Sequence, residues 1–141
     1  QAHETAEACL RMCHLEEFAG KPAGDLPIGG KKRLELARAL AARPKLLMLD
    51  EVMAGLTSTE VKAAVELIRR IRDNGVTLLI VEHIMEAIVP IADKLVVLDG
   101  GMKIAEGPPE QITSDERVIA AYLGAKFSRR LKARKEERPH A

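Results

Sequence analysis

Three places in the chain carry residues able to act on a phosphate, and two of them lie where an apolar run stops. Asp50 and Glu51 directly follow Leu46-Leu47-Met48-Leu49. If that run is a strand of a parallel sheet, the acid pair stands at its carboxyl end, the edge where open α/β sheets take their ligands. One carboxylate there can hold Mg2+, directly or through water, while its neighbour polarises a water for attack on phosphorus. His83 comes two residues after a second apolar run, Val76-Thr77-Leu78-Leu79-Ile80-Val81. An imidazole at that edge can donate to a terminal phosphate oxygen or orient a water. Gly29 and Gly30 precede a helical pattern that begins at Lys31. Free amides and the positive end of a helix dipole make such a start a natural anion site. Each feature has a plainer reading: strands end in acids that lead into turns, a histidine caps a helix or faces solvent, and two glycines permit a tight turn. Position lifts the acids and the histidine above it, because two neighbouring strands bring them to one sheet edge.

The elements that must hold these residues are legible in the periodicity. From Lys31 to Ala42, Leu34, Ala37, Leu40 and Ala41 fall on one helical face, and Pro44 marks the stop. The four apolar residues 46–49 read as a strand buried on both faces of a parallel sheet. Thr57 and Glu60 have the spacing of a capping box, and Val61, Ala64, Val65, Ile68 and Ile71 repeat behind it until Asn74-Gly75. Residues 45–81 are therefore expected to form one βαβ unit with a right-handed crossover. A short helix is expected over Glu82 to Ile91. Leu95–Leu98 and Met102–Ala105 flank Asp99-Gly100-Gly101 as a hairpin, Pro108-Pro109 ends it, and Asp115 to Leu123 reads as a short amphipathic helix. Before all this, Thr5 to Phe18 is loosely helical, and a loop with two glycines and a proline follows over 19–25. The chain has no internal repeat and no phosphate-binding G-x-x-x-x-G-K motif followed by Ser or Thr. Two parallel strands and a hairpin are few for a doubly wound domain, so the architecture reads as part of something larger.

Composition narrows the function classes. With 47% apolar and 30% charged residues the chain is globular rather than disordered. Aromatics are only 2%, so aliphatic packing must hold the core and base stacking on aromatic platforms is not a binding mode. No apolar run approaches the roughly 20 residues needed to span a bilayer. The acidic, polar first residues are unlike a signal peptide, and a cytoplasmic location is expected. Cys9 and Cys13 share a helical face with His3 and His14 nearby, but zinc sites use a tighter pair with a distant second pair. Buried, reduced thiols are the expected state. The basic stretch from Lys126 to Arg138 could meet anionic lipid or nucleic acid without specificity, although a solvated terminus is its default reading.

In order and spacing these pieces resemble the ATP-binding subunit of ATP-binding-cassette (ABC) transporters, and the likeness runs to about Phe127. Leu26-Pro27-Ile28-Gly29-Gly30-Lys31-Lys32-Arg33-Leu34-Glu35-Leu36-Ala37-Arg38-Ala39-Leu40 resembles the family signature and its helix. Leu46 to Glu51 is similar to the Walker B strand, Val52 to Thr57 falls where the D-loop would be, and Val81-Glu82-His83 where the switch-histidine loop would be. Asp93 to Gly101 with Ile104 to Gly107 resembles the closing hairpin. Arg33-Leu34-Glu35-Leu36-Ala37-Arg38-Ala39-Leu40 and Ala121-Tyr122-Leu123-Gly124 are closest in form to the branched-chain amino-acid uptake group.

The resemblance implies an α/β fold, the C-terminal part of a P-loop NTPase (RecA-like) nucleotide-binding domain with a remnant of the helical subdomain. It implies two segments, 1–30, the rear of the helical subdomain and signature loop, and 31–125, the C-terminal part of the ATPase core; composition adds a third, 126–141, expected to be a basic, disordered tail. It assigns Asp50 to Mg2+ (through water), Glu51 to activating the attacking water, and His83 to the γ-phosphate. Ile28, Gly29 and Gly30 would cap ATP held by a second nucleotide-binding subunit in a head-to-tail dimer. Membrane permease subunits are the other implied partners, with no specific nucleic acid, only indirect membrane contact, and a peripheral place on the inner face of the cell membrane. The chain departs from the family at several points. Pro27 stands at the usual signature serine, Ile28 at the first glycine, Gly30 at the glutamine, Val52 at the proline after the catalytic acid, and Thr57 at the D-loop aspartate. With no phosphate-binding loop, the chain alone is expected to be inactive and to bind ATP and Mg2+ only with the missing half. The alternative is a non-catalytic, degenerate cassette acting as an interaction or regulatory module. A chromosome-maintenance or DNA-repair ATPase shares these motifs, but the region before Leu26 lacks the sustained heptads of its coiled coils.

Overall fold

A computed structural model describes residues 2–122 and 124, so the basic stretch 126–141 lies outside the described residues. The chain divides between Ile91 and Ala92 into two units, each described by itself.

In the first unit, α1 (Ala2–Met12) is followed by two short 3-10 turns, Glu16–Phe18 and Ala23–Asp25. Then come α2 (Ile28–Ala41), β1 (Leu46–Asp50), α3 (Ser58–Asp73), β2 (Thr77–Val81) and α4 (Met85–Ile88). The expected strand–helix–strand succession is present, and β1 pairs with β2 in parallel, with Asp50 opposite Val81. The start of α3 is the capping box that the spacing predicts. The Thr57 hydroxyl accepts from the Glu60 amide at 3.3 Å, and the Glu60 carboxylate accepts from the Thr57 amide at 2.8 Å. Those contacts, the backbone amide first and the hydroxyl second, hold the Glu60 carboxyl below its ordinary range. At the other end the Asn74 side chain donates to the Arg70 carbonyl at 2.8 Å, and Gly75 turns the chain away.

Three local readings need correction. The helix expected from Lys31 begins at Ile28, so Gly29 and Gly30 lie in its first turn. First-turn amides have no intrahelical partner in any helix, and glycine there costs little. Close packing also asks for it: a Cβ on Gly29 would come within 2.6 Å of the Glu60 carboxylate. Second, the helix expected over Thr5 to Phe18 is broken, because His14 takes a left-handed conformation (φ 52°) and a 3-10 turn replaces the last helical turn. Third, α4 has four residues rather than the ten of Glu82 to Ile91: Glu82 and His83 are non-helical, with a bend at His83, and the Glu82 side chain accepts from the Met53 amide. Cys9 and Cys13 form no disulfide among the described residues, and of the two thiols expected to be buried only Cys13 is, Cys9 being half-buried. Cys13 has no exposed surface, and burial, then the neighbouring Cys9, push its thiol up to about 11 against the lowering effect of Arg33.

The strand expected to be buried on both faces is buried on one. Leu47 and Leu49 are 7% and 5% exposed, whereas Leu46, Met48, Leu79 and Val81 on the other face are 50–67% exposed. The register sets Met48 against Leu79, so these four form one apolar patch. Parallel sheets are covered on both faces in intact domains, and among the described residues the interior of this unit, including Leu67, Ile68 and Ile71 of α3, covers one.

The second unit holds β3 (Leu95–Asp99) and β4 (Met102–Gly107), paired antiparallel with an irregularity between Val97 and Leu98. Gly100 and Gly101 both have positive φ, 54° and 81°, as a two-residue turn matched to strand twist requires. Pro108-Pro109 ends the sheet as expected, but it also opens a short helix, α5 (Pro109–Ser114), that the pattern did not suggest. Proline suits a first helical position, where its missing N–H is not needed. Residues 116–122 are helical, in agreement with the expected last helix, and Ile112 and Val118 are buried.

The open sheet face generates a prediction. Replacing the cross-strand pair with Met48→Glu and Leu79→Lys should lower the fluorescence of a hydrophobic dye such as anilinonaphthalene sulfonate bound to this chain, with circular dichroism unchanged. Dye binding equal to wild type would place the accessible apolar surface elsewhere.

Candidate functional site

The parallel register brings the ends of β1 and β2 level, and Glu51 continues the ladder by donating its amide to the Val81 carbonyl at 2.9 Å. Glu51 itself leaves the strand with φ 45°, a left-handed conformation uncommon outside glycine. That conformation ends β1 sharply and starts the tight loop 51–56, in which Ala54 donates to the Glu51 carbonyl at 3.1 Å and Leu56 to that of Met53 at 3.2 Å. The Glu51 carboxylate reaches to within 3.4 Å of His83 Nδ1, with the two side chains 58% and 39% exposed. An acid and an imidazole predicted from two separate runs thus face each other at one open edge.

Asp50 is the last residue of β1, exposed, and on the same face as Leu46 and Met48. Among the described residues no Lys or Arg pairs with its carboxylate. Ile28, Gly29 and Gly30 occupy a different station, at the start of α2, where Pro27 stands as N-cap and offers no side-chain acceptor. Ile28 is 65% exposed. Their helix meets the acid pair through the Lys32 ammonium, which donates to the Glu51 backbone carbonyl at 3.3 Å. The start of α2 is further fixed by Arg33, which reaches the Gly29 carbonyl at 3.4 Å and the His14 carbonyl at 3.1 Å. Between α2 and α3 lies a mostly apolar cavity of about 200 Å3 bordered by Gly29, Leu36, Val52, Leu56, Ala64 and Leu67, whose lining includes neither Glu51 nor His83.

Sequence reasoning missed Glu82. Its side chain has no exposed surface, and it accepts from the Met53 amide at 2.8 Å and from the His83 amide at 3.3 Å. The only available signal was an acid one residue past a buried strand, next to a candidate histidine. No helix among the described residues is long and apolar enough to cross a membrane.

A parallel strand pair with acids and a histidine at its carboxyl edge has the arrangement in which open α/β sheets take their ligands. The family model described as "ABC transporter" matches residues 1–54, and that described as "Branched-chain amino acid ATP-binding cassette transporter" matches residues 102–128. The chain belongs to the ATP-binding proteins of ABC transporters. It is 43% identical over 125 residues to the high-affinity branched-chain amino acid transport ATP-binding protein BraF of Pseudomonas aeruginosa, covering 88% of this chain and 49% of that protein. It is 40% identical to the Escherichia coli protein LivG of the same description, with the same coverage. Its fold matches the crystal structure of the ADP conformation of MJ1267, an ATP-binding cassette of an ABC transporter. The TM-score is 0.78 at 30% identity, covering 87% of this chain and 50% of that one. The chain spans about half the length of the curated relatives it matches.

Proposed function

We propose that this chain supplies the hydrolytic edge of the ATP-binding subunit of an ABC importer for branched-chain amino acids, and works when joined to the half that carries the phosphate-binding loop. The observation that carries the reading is the 3.4 Å approach of the Glu51 carboxylate to His83 Nδ1 at the ends of two paired parallel strands. Glu51 would take up a proton from the attacking water, which its carboxylate orients. With Nδ1 facing that carboxylate, His83 has Nε2 left to meet a γ-phosphate oxygen. The donor set at Asp50, a solvent-facing carboxylate that no Lys or Arg among the described residues neutralises, fits Mg2+ held through water. When bound, that ion neutralises charge on the phosphate oxygens. The first turn of α2 offers the amides of Ile28, Gly29 and Gly30 to ATP on a second subunit in a head-to-tail dimer, supported by the dipole of a helix of 14 residues.

The substrate class, the permease partners and the peripheral position on the inner membrane face follow from similarity to BraF and LivG and stand as part of this proposal. One observation favours a second reading, a degenerate cassette kept for interaction: Pro27 gives the signature neither a hydroxyl nor an amide. The retained Glu51–His83 contact speaks for the catalytic reading.

Two tests separate them. In the full-length subunit, Glu51→Gln should stop hydrolysis and leave Mg-ATP binding intact, trapping a dimer on gel filtration, and His83→Ala should slow turnover by about 100-fold with ATP affinity retained. Steady-state rates equal to wild type would remove both residues from the chemistry. The chain alone, with no phosphate-binding loop, should give no heat of Mg-ATP binding by calorimetry at micromolar concentrations; a micromolar Kd would show a nucleotide site complete within it.

A further inference from the structure

We propose that Glu82 is a positioning residue: a buried carboxylate that ties the loop after Glu51 to His83 and so holds the acid and the imidazole at working distance. The inference rests on the roles given above to Glu51 and His83 and deepens them.

The geometry is specific. The Glu82 side chain has no solvent exposure, while those of its functional neighbours Glu51 and His83 are 58% and 39% exposed. A carboxylate out of water is costly unless its oxygens are hydrogen-bonded. Here the two oxygens divide between two loops. Oε1 accepts from the Met53 amide at 2.8 Å, and Oε2 accepts from the His83 amide at 3.3 Å. Oε2 also lies 3.9 Å from His83 Nδ1, on the nitrogen that faces Glu51. Among the described residues no Lys or Arg pairs with this carboxylate, so the imidazole is its cationic partner whenever the ring is protonated. Met53 is itself 1% exposed and anchors the loop in the core, two residues after Glu51. One side chain therefore bonds to both backbones that carry the candidate catalytic groups, 29 residues apart in sequence at the Met53 contact.

Removing that carboxylate leaves the Met53 amide buried without a partner and frees His83 from its tether. The loop from Glu51 and the segment at His83 would then find their positions independently, and a displacement of about 1 Å at a reacting group costs on the order of 100-fold in rate. Nucleotide binding, which draws on the phosphate-binding half, should be little changed.

The test uses the full-length subunit assembled with its permease, carrying Glu82→Ala, Glu82→Gln or Glu51→Gln. Calorimetric Mg-ATP stoichiometry counts folded sites, and kcat is expressed per site. Glu82→Ala should lower kcat by about 100-fold with KM for ATP unchanged. Glu82→Gln should lose about 10-fold, because its carbonyl still accepts from Met53 but its amide nitrogen cannot accept from His83. Hydrogen exchange should quicken at the Met53 and His83 amides in the alanine variant and stay as in wild type along β1. An alanine variant with wild-type kcat per site, or slow exchange at both amides, overturns the assignment. If that variant binds no ATP because it does not fold, the glutamine variant decides, and wild-type kcat there overturns it equally. Glu51→Gln is the control on the parent reading. Hydrolysis abolished there with Glu82→Ala fully active removes Glu82 alone, whereas hydrolysis intact in Glu51→Gln removes both.

Discussion

Parallel pairing of β1 with β2 sets Asp50 opposite Val81, and the site descends from that register. Side chains in a strand alternate between faces, so a slip of one residue would exchange the buried and open sets and carry His83 past the acids. The existing register puts Leu47 and Leu49 into the interior and Leu46, Met48 and Asp50 on the open face. Glu51, the first residue beyond the strand, then bends away with a positive φ while its amide still completes the ladder to Val81. The left-handed turn turns the acid's side chain toward the neighbouring strand rather than onward into solvent. A residue other than glycine held there carries strain, and such strain gathers where surrounding contacts over-determine the backbone. Those contacts include the Lys32 ammonium on the Glu51 carbonyl and the tight loop that follows.

Much of this was readable in the residues alone, for a physical reason. Capping boxes, helix stops and two-residue glycine turns are decided within a few neighbours, so Thr57–Glu60, Asn74-Gly75 and Gly100-Gly101 could be placed without tertiary information. The pairing of the two strands followed from their shared apolar character, their length and the single helix between them. What failed was decided by contacts between distant segments. α2 starts three residues early because Pro27 supplies the first extended residue and because the glycines are wanted for close approach to Glu60. α4 is short because the Glu82 side chain is engaged by the Met53 amide, in a loop 29 residues earlier, and by the His83 amide, which leaves Glu82 and His83 non-helical. Glu82 itself was invisible as a site residue, since nothing in an acid's identity says whether it will be solvated or buried.

The open face of β1 and β2 bears on how much of a domain the described residues form. A continuous apolar run predicts burial on both faces, and the run is indeed continuous, but only alternate side chains are covered. Four exposed aliphatic and thioether side chains on a two-stranded parallel sheet are surface that an intact α/β domain covers with a second layer. The sequence pattern thus carries information about a layer that the described residues do not contain. That agrees with a chain spanning about half the length of its relatives.

The start of α2, assigned above to a nucleotide on a second subunit, obeys a different logic, in which loss of a side chain need not remove backbone donors. The first three amides of α2 have no intrahelical acceptor, and Pro27 at the N-cap supplies none from its side chain. A serine in that place would satisfy one of those amides itself and offer a hydroxyl outward; proline does neither. The helix start is therefore more demanding of an external anion and poorer in donors with which to hold one. Gly29 partly compensates, because without a side chain it lets the backbone be approached closely, a freedom already used on the Glu60 side. The balance differs from that at the sheet edge, where Glu51, His83 and the buried Glu82 form a connected set. Under the proposed function, the groups assigned to cleaving a phosphate bond are tied together more tightly than those assigned to a nucleotide across a dimer. On that same proposal, dimer closure rather than the chemistry at the edge is the step on which Pro27 and Gly30 would act.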